Sequence, residues 1–286
     1  MPKTEFLVEA PKKSNLFWLS ASKIKNFQTC KAQYYFRYVE RLPKKEWPHL
    51  YFGKFLHEVL EFFQKEIKAG NTAPDNVILK ECFKRSYDNY SKKIDAAQKM
   101  EAFNILCQFL VKRAEKKKEN KISIPLYIEK PFNLVLNDDI LVNGFIDFVH
   151  EDYDKLIHVT DYKTNKEKKY LLKDLFQLEL YSYILSLEDE SLERIRASYS
   201  LLKLGFDEIE TEFSRDKIMK TGDYIVKCAE EIRSEKLFRA KPSGLCNYCD
   251  YLDHCKEGED FVKMLEAKKA KKDGKIHLAT YGETSW

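Results

Sequence analysis

Gly144-Phe145-Ile146-Asp147 and Val159-Thr160-Asp161-Tyr162-Lys163 flank a turn-like stretch, Asp152-Tyr153-Asp154-Lys155. Both flanks are rich in Ile, Val, Phe and Tyr without helical spacing, so they read as two strands of a hairpin. Asp147 and Asp161 are equidistant from Asp154. A hairpin centred there without a bulge sets the two carboxylates opposite each other, with Cβ atoms roughly 5 Å apart on one face. Lys163, two residues beyond Asp161, projects to that same face. Amid Ile146, Phe148, Ile157 and Val159, like charges at that distance repel unless something cationic compensates them, and a divalent metal ion does so. The plain alternative is a solvated hairpin edge whose two Asp and one Lys pair with each other.

Outward from the hairpin, the pattern alternates between helices and strands. Ile24, Phe27, Cys30, Tyr34 and Tyr38 predict a helix over 22–39, and Leu56, Val59, Leu60, Phe63 and Ile67 predict another from Gly53 to Gly70. Pro43 and Pro48 read as breaks between them. Two more helices are expected between Asp75 and Lys118, the second with Phe103, Leu106, Cys107, Leu110 and Ala114 on one face. Strands are expected over 123–136, 140–150, 155–164 and 197–204, and helices over 171–187 and 216–234. This order points to an α/β core with a helical insertion at 65–120, a cysteine-rich segment at 241–257 and a basic tail at 263–286.

Composition narrows the class. The 286 residues are 44% hydrophobic and 34% charged, which excludes disorder over most of the chain, and 50 Lys+Arg against 46 Asp+Glu leave a net charge of only +4. Partners must therefore be sought in local charge. No apolar run approaches the ~20 residues of a membrane span, and the first 20 residues lack a secretory leader. The expectation is a cytoplasmic protein, or one of the host cytoplasm if virus-encoded, with no membrane partner.

The hairpin motif resembles the bipartite active site of the PD-(D/E)XK nuclease superfamily, and specifically its RecB-like branch, where a Gly-x-x-Asp strand precedes an Asp-x-Lys strand. Gly53-x-x-x-His57-x-x-Leu60-Glu61 is similar to the branch's upstream helix motif, and Gln177-Leu178-Glu179-Leu180-Tyr181 to its downstream Gln-x-x-x-Tyr motif. The resemblance implies one nuclease domain over 1–286, with a restriction-endonuclease-like core: a mixed sheet flanked by helices. It implies Asp147, Asp161, Lys163, Gln177 and Tyr181 as catalytic, and His57, Asp147, Asp161 and the carbonyl of Tyr162 as ligands of Mg²⁺ or Mn²⁺. Taken singly, His57 would be an ordinary histidine, and Gln177 with Tyr181 an ordinary helix face.

Cys246-x-x-Cys249 and Cys255 form a second constellation, in a Gly/Pro-flanked segment. Three closely spaced thiolates suit a metal site that needs a fourth ligand, for which Cys30 is the candidate. One RecB-like subgroup, similar to CRISPR-associated adaptation nucleases, AddB-type nuclease domains and phage exonucleases, carries one N-terminal and three C-terminal Cys on a [4Fe-4S] cluster. The resemblance thus implies an iron–sulfur clamp on Cys30, Cys246, Cys249 and Cys255, closing a loop long enough to be worth roughly 5 kcal/mol in chain entropy. Zinc is the competing occupant, with His254 as a substitute ligand. Cys82, Cys107 and Cys228 read as small core residues.

Lys23, Lys25, Lys31, Arg37, Arg41, Lys44 and Lys45 interleave with Tyr34, Tyr35, Tyr38, Trp47 and Tyr51. This pattern suits phosphate contacts and stacking on single-stranded bases, or else a partly buried aromatic helix with snorkelling lysines. The function expected is metal-dependent DNA hydrolysis, preferably exonucleolytic on single-stranded ends, in repair or recombination beside a helicase or recombination partner. The alternative is a catalytically silent DNA-binding module serving a helicase or integration partner.

Overall fold

The computed structural model describes residues 1–9, 15–165, 168–172 and 174–280, with Pro48, Tyr170 and 272–280 described by their secondary structure alone. In chain order the elements are β1 (Thr4–Phe6), β2 (Phe17–Leu19), α1 (Ala21–Thr29), α2 (Lys31–Tyr34), α3 (Pro48–Lys68), α4 (Asp75–Tyr90) and α5 (Ala96–Lys118). Then come β3 (Ile124–Leu136), β4 (Ile140–Glu151), β5 (Ile157–Lys163), α6 (Phe176–Glu188), β6 (Arg194–Leu201), β7 (Asp207–Ser214), α7 (Arg215–Ser234) and α8 (Lys256–Thr280). Two compact units result: Met1–Ala21 with Glu46–Glu230, and Ser22–Lys45 with the chain from Glu231 onward.

The first unit is built on one mixed sheet of order β1-β3-β4-β5-β6-β7, with β2 parallel to β4. The β3–β4, β4–β5 and β6–β7 pairs are antiparallel, whereas β5 and β6 run parallel and are joined through α6. The hairpin pairs Phe148 with Thr160, Val149 with Val159 and His150 with His158, the register expected from centring at Asp154.

Neighbouring residues of a strand point to opposite faces, so β4 and β5 serve two layers. Phe148 and Tyr162 join the core built by α3, α4 and α5, whereas α6 lies against β5 and β6 on the other face. On α3, Phe52, Phe55, Leu56, Val59, Leu60 and Phe63 are almost completely buried, each worth about 1.5–3 kcal/mol of hydrophobic stabilisation. The segment expected as an insertion, 65–120, supplies α4 and α5 and hence the layer covering this face. Gly144 is required by packing, because a Cβ there would lie 2.8 Å from the Phe132 ring directly opposite on β3.

Several expectations need correction. Pro48 does not break a helix but starts α3, at a first-turn position where its missing N–H costs nothing. On α5 the inward residues are Ala102, Ile105 and Leu106, while Phe103 is 54% exposed and Cys107 is exposed, so the buried face is rotated from the expected one. The helix expected from Leu171 begins at Phe176, after a short 3₁₀ turn at Lys168–Tyr170. Strands β1, β2 and β7 were not anticipated, although β7 buries Ile209 and Phe213 between exposed neighbours.

In the second unit the helix expected over 22–39 breaks at Cys30, whose extended backbone (φ −158°, ψ 114°) separates α1 from α2, and it ends in a π turn at Tyr35–Val39. Phe27, Tyr34 and Phe238 pack together, Lys31 pairs with Glu235, and the Tyr251 hydroxyl donates to the Leu42 carbonyl at 3.4 Å. Segments some two hundred residues apart thus share this core. Tyr34 is buried, which removes it from the expected stacking faces and pushes its pKa up to about 12. Lys23 and Arg37 lie over the Tyr38 ring, with burial lowering the pKa of Lys23, as the snorkelling alternative expects at this ring. Of the basic tail, residues 281–286 lie outside the described residues.

Candidate active site and cysteine site

Where β4 and β5 stop pairing, beyond Phe148 and Thr160, the next residues in register are Asp147 and Asp161. There the Asp147 side chain takes over from the strand, accepting the Tyr162 backbone N–H on Oδ2 at 2.9 Å. On the other side of β4, the pairs Ile128–Phe148 and Lys130–Ile146 leave Glu129 opposite Asp147, with its backbone at φ +48°. Three carboxylates, Glu129, Asp147 and Asp161, therefore stand in line across three adjacent strands.

From α3, His57 presents Nδ1 3.4 Å from Asp147 Oδ2. Lys163 Nζ lies 2.6 Å from Asp161 Oδ2 and donates to Gln177 Oε1 at 2.9 Å. Gln177 Nε2 in turn donates to the Tyr181 hydroxyl at 2.7 Å, the i,i+4 pair lying on one face of α6 as its spacing requires. The sheet thus supplies the acids and the ammonium, α3 the imidazole, and α6 the groups that hold the ammonium. Tyr181 is 5% exposed, its phenol sheltered behind Gln177.

Burial makes this a strained electrostatic set. Burial and then the neighbouring Asp161 charge hold the Asp147 carboxyl well above its usual range. Burial, followed by the nearby Glu61 charge, pushes Glu129 up to about 7. Burial lowers the pKa of His57, favouring the neutral imidazole that can ligate a metal. Burial also raises the Tyr181 phenol far above its ordinary value, so it stays protonated.

These residues fit a divalent cation. One ligand atom from each of His57, Glu129 and Asp147 lies within 4.8 Å of the others. Asp161 Oδ2 is buried with no aligned hydrogen-bond donor and only the Lys163 ammonium beside it. A carboxylate-rich donor set with one imidazole suits Mg²⁺ or Mn²⁺.

A family profile of the PD-(D/E)XK nuclease superfamily matches residues 18–256. The chain belongs to the PD-(D/E)XK nuclease superfamily. Among solved structures, a protein named "putative exonuclease" from Eubacterium rectale aligns at 11% identity with TM-score 0.44, over 82% of this chain and 87% of that one. The protein SSO0001 aligns at 14% identity with TM-score 0.31, over 73% of this chain and 96% of that one. No curated protein matches the chain.

In this PD-(D/E)XK chain every residue expected at the catalytic site, His57, Asp147, Asp161, Tyr162, Lys163, Gln177 and Tyr181, lies in one contiguous network. Glu129 was missed. Its signal was available: carrying the hairpin register one strand further sets an acid of an apolar run opposite Asp147. Glu129 lies inside the strand expected over 123–136 and is singled out only by that strand's register against β4.

The match extends from before Cys30 to just past Cys255. All four cysteines lie in the second unit and border one small cavity with Phe36, Pro242 and Leu252. The Lys241 N–H points to Cys30 Sγ at 3.5 Å and the Ser243 N–H to Cys246 Sγ at 3.4 Å. Burial raises the Cys249 and Cys255 thiols, and the other thiols of the set push both further in the same direction. A Cβ on Gly258 would come within 3.3 Å of Cys255 Sγ, so the chain is cut back where it passes the sulfur. Among the described residues, the groups of three or more candidate ligand atoms within 4.8 Å of one another do not include these thiols. Cys82 and Cys228 are buried as expected, whereas Cys107 is exposed.

Proposed function

We propose that this PD-(D/E)XK protein is a metal-dependent deoxyribonuclease of the RecB-like branch that degrades single-stranded DNA from its ends. The observation that carries the hydrolytic reading is the linked row Asp147, Asp161, Lys163, Gln177 and Tyr181, because a module that only binds DNA has no need to clamp an ammonium beside a buried carboxylate. DNA and end-dependence come from the resemblance of the motifs.

His57, Glu129, Asp147 and Asp161 hold the divalent ion, with the Tyr162 carbonyl beside them. When bound, that ion lowers the pKa of a water molecule and offsets charge on the phosphate. Lys163 stabilises negative charge growing on the phosphoryl oxygens or holds the attacking water by its N–H groups. Gln177 fixes the ammonium by accepting from it, and Tyr181 fixes Gln177 by accepting its N–H. Both are positioning residues. Asp147 is held in place by the Tyr162 N–H, so it loses little freedom when it ligates.

In the second unit Cys30, Cys246, Cys249 and Cys255 hold a [4Fe-4S] cluster that ties the two ends of the chain within that unit. The resemblance of the four-cysteine pattern favours an iron–sulfur cluster over zinc, and backbone N–H groups directed at two of the sulfurs suit one.

Linear single-stranded, circular single-stranded and blunt duplex DNA of one sequence, incubated with Mg²⁺ or Mn²⁺, test the substrate reading. Fastest loss of the linear single strand, with steep inhibition by salt, is expected. Rapid cutting of the circle would show endonuclease action, and a duplex rate above the single-strand rate would refute the preference for unpaired ends.

A further inference from the structure

On the face of the sheet that carries Phe148, the hairpin holds a second cluster that the nuclease chemistry does not use. His150 and His158 are register partners on β4 and β5, with ring centroids 4.6 Å apart. Asp152, in the turn, reaches both: Oδ1 lies 3.2 Å from His150 Nδ1 and Oδ2 lies 2.9 Å from His158 Nδ1. One ligand atom from each residue falls within 4.8 Å of the others. The two histidines are 5% and 3% exposed.

We propose that His150, Asp152 and His158 form a second divalent-metal site, selective for zinc-class ions, at the turn end of the β4–β5 hairpin. Three observations carry it. First, His150 Nδ1 is buried and makes no hydrogen bond, although a carboxylate oxygen is 3.2 Å away. Donor atoms about 2.0–2.1 Å from a tetrahedral zinc ion sit roughly 3.3–3.4 Å from one another; the 3.2 Å between His150 Nδ1 and Asp152 Oδ1 is close to that, and the 2.9 Å between His158 Nδ1 and Oδ2 is the hydrogen bond that the ion would replace.

Second, the far nitrogens are already supported. His150 Nε2 is 3.1 Å from Thr160 Oγ1, and His158 Nε2 is 2.9 Å from Ser198 Oγ. Hydroxyl oxygens there can accept the Nε2 protons and so leave both Nδ1 lone pairs facing the centre, the arrangement that outer partners impose on metal-bound histidines. His158 then moves its proton from Nδ1 to Nε2 on binding, and none is lost. Third, the charge is unbalanced. Asp152, Asp154 and Glu210 all surround one guanidinium, Arg196, at 2.8, 2.7 and 3.6 Å, and a divalent ion offsets the excess of carboxylates. Two imidazoles and one carboxylate favour zinc over magnesium, the reverse of the oxygen-rich site at Asp147 and Asp161.

The test uses full-length protein stripped with chelator, loaded with Zn²⁺ alone in excess Mg²⁺ and desalted before metal analysis. His150→Gln and His158→Gln should each retain one zinc equivalent fewer than wild type and lose the zinc-dependent rise in Tm, while His57→Asn retains both. Circular dichroism checks that the variants fold. Should they not fold, Co²⁺ in the His57→Asn protein should give two hyperfine-shifted imidazole N–H proton signals. Equal zinc content in wild type and folded variants, or no shifted imidazole signals, overturns the site and leaves the nuclease reading untouched.

Discussion

The backbone N–H of Tyr162 donates to the carboxylate of Asp147 across 2.9 Å, at the point where β4 and β5 cease to pair. The same carboxylate thus closes the hairpin and faces the proposed metal. Its two roles separate on substitution. Asp147→Asn keeps an acceptor for Tyr162 and removes a charge that burial disfavours, so cleavage should vanish while the metal-free Tm holds or rises. Asp147→Ala leaves the N–H without a partner and should cost about 1–3 kcal/mol besides. Paired melting curves and cleavage rates check this, and equal melting of the two variants would contradict it.

Gln177 acts on the reaction through Lys163, whose ammonium it accepts at 2.9 Å. Gln177→Ala should lower kcat with little change in KM, since a freed ammonium is misplaced and not lost. Lys163→Ala should lower kcat further, on the order of 10²–10³-fold. Tyr181→Phe should fall between wild type and Gln177→Ala. Steady-state kinetics separate these, and a change confined to KM would place Gln177 on the substrate.

Glu129 sets a pH dependence. Its pKa is raised from an ordinary 4.5 to about 7, so its protonated form favours the fold. In metal-free protein that contribution is complete below the ordinary value and is gone once pH has risen through about 7. Metal ligation needs the carboxylate, so Mn²⁺ affinity should rise across the same window as protons are displaced. Glu129→Gln should flatten both profiles near pH 7. Calorimetric Mn²⁺ titrations at several pH values measure this, and an unchanged slope in the variant would remove Glu129 from the site.

The cysteine reading separates the second unit's thiols from the rest. Anaerobically purified protein should be brown and contain iron, and Cys30→Ala or Cys249→Ala should bleach it and lower Tm. Cys107→Ala, at an exposed position, should do neither. Zinc in place of iron on elemental analysis would overturn the cluster.

Much of the site was legible because its geometry is periodic. Strand alternation and a symmetric turn place Asp147, Asp161 and Lys163 together, and i,i+4 spacing places Gln177 over Tyr181. Glu129 escaped because only the register of β3 against β4 singles it out, and its own backbone leaves the β region. The α5 face was misread because Phe103 and Cys107 are apolar yet line a surface groove, where periodicity alone does not distinguish core from surface. Tyr34 follows the partly buried alternative: Phe27 and Tyr38 at helical spacing pack on it, and Phe238 adds a contact across two hundred residues that no local pattern carries.

The most direct test of the account is cleavage of end-labelled single-stranded DNA by wild type and Asp161→Asn, each with Mg²⁺ or Mn²⁺ and again in EDTA. The expected result is metal-dependent hydrolysis by wild type alone, abolished by chelation and restored by adding back the ion. Cleavage by Asp161→Asn at the wild-type rate, or undiminished wild-type cleavage in EDTA, would contradict it.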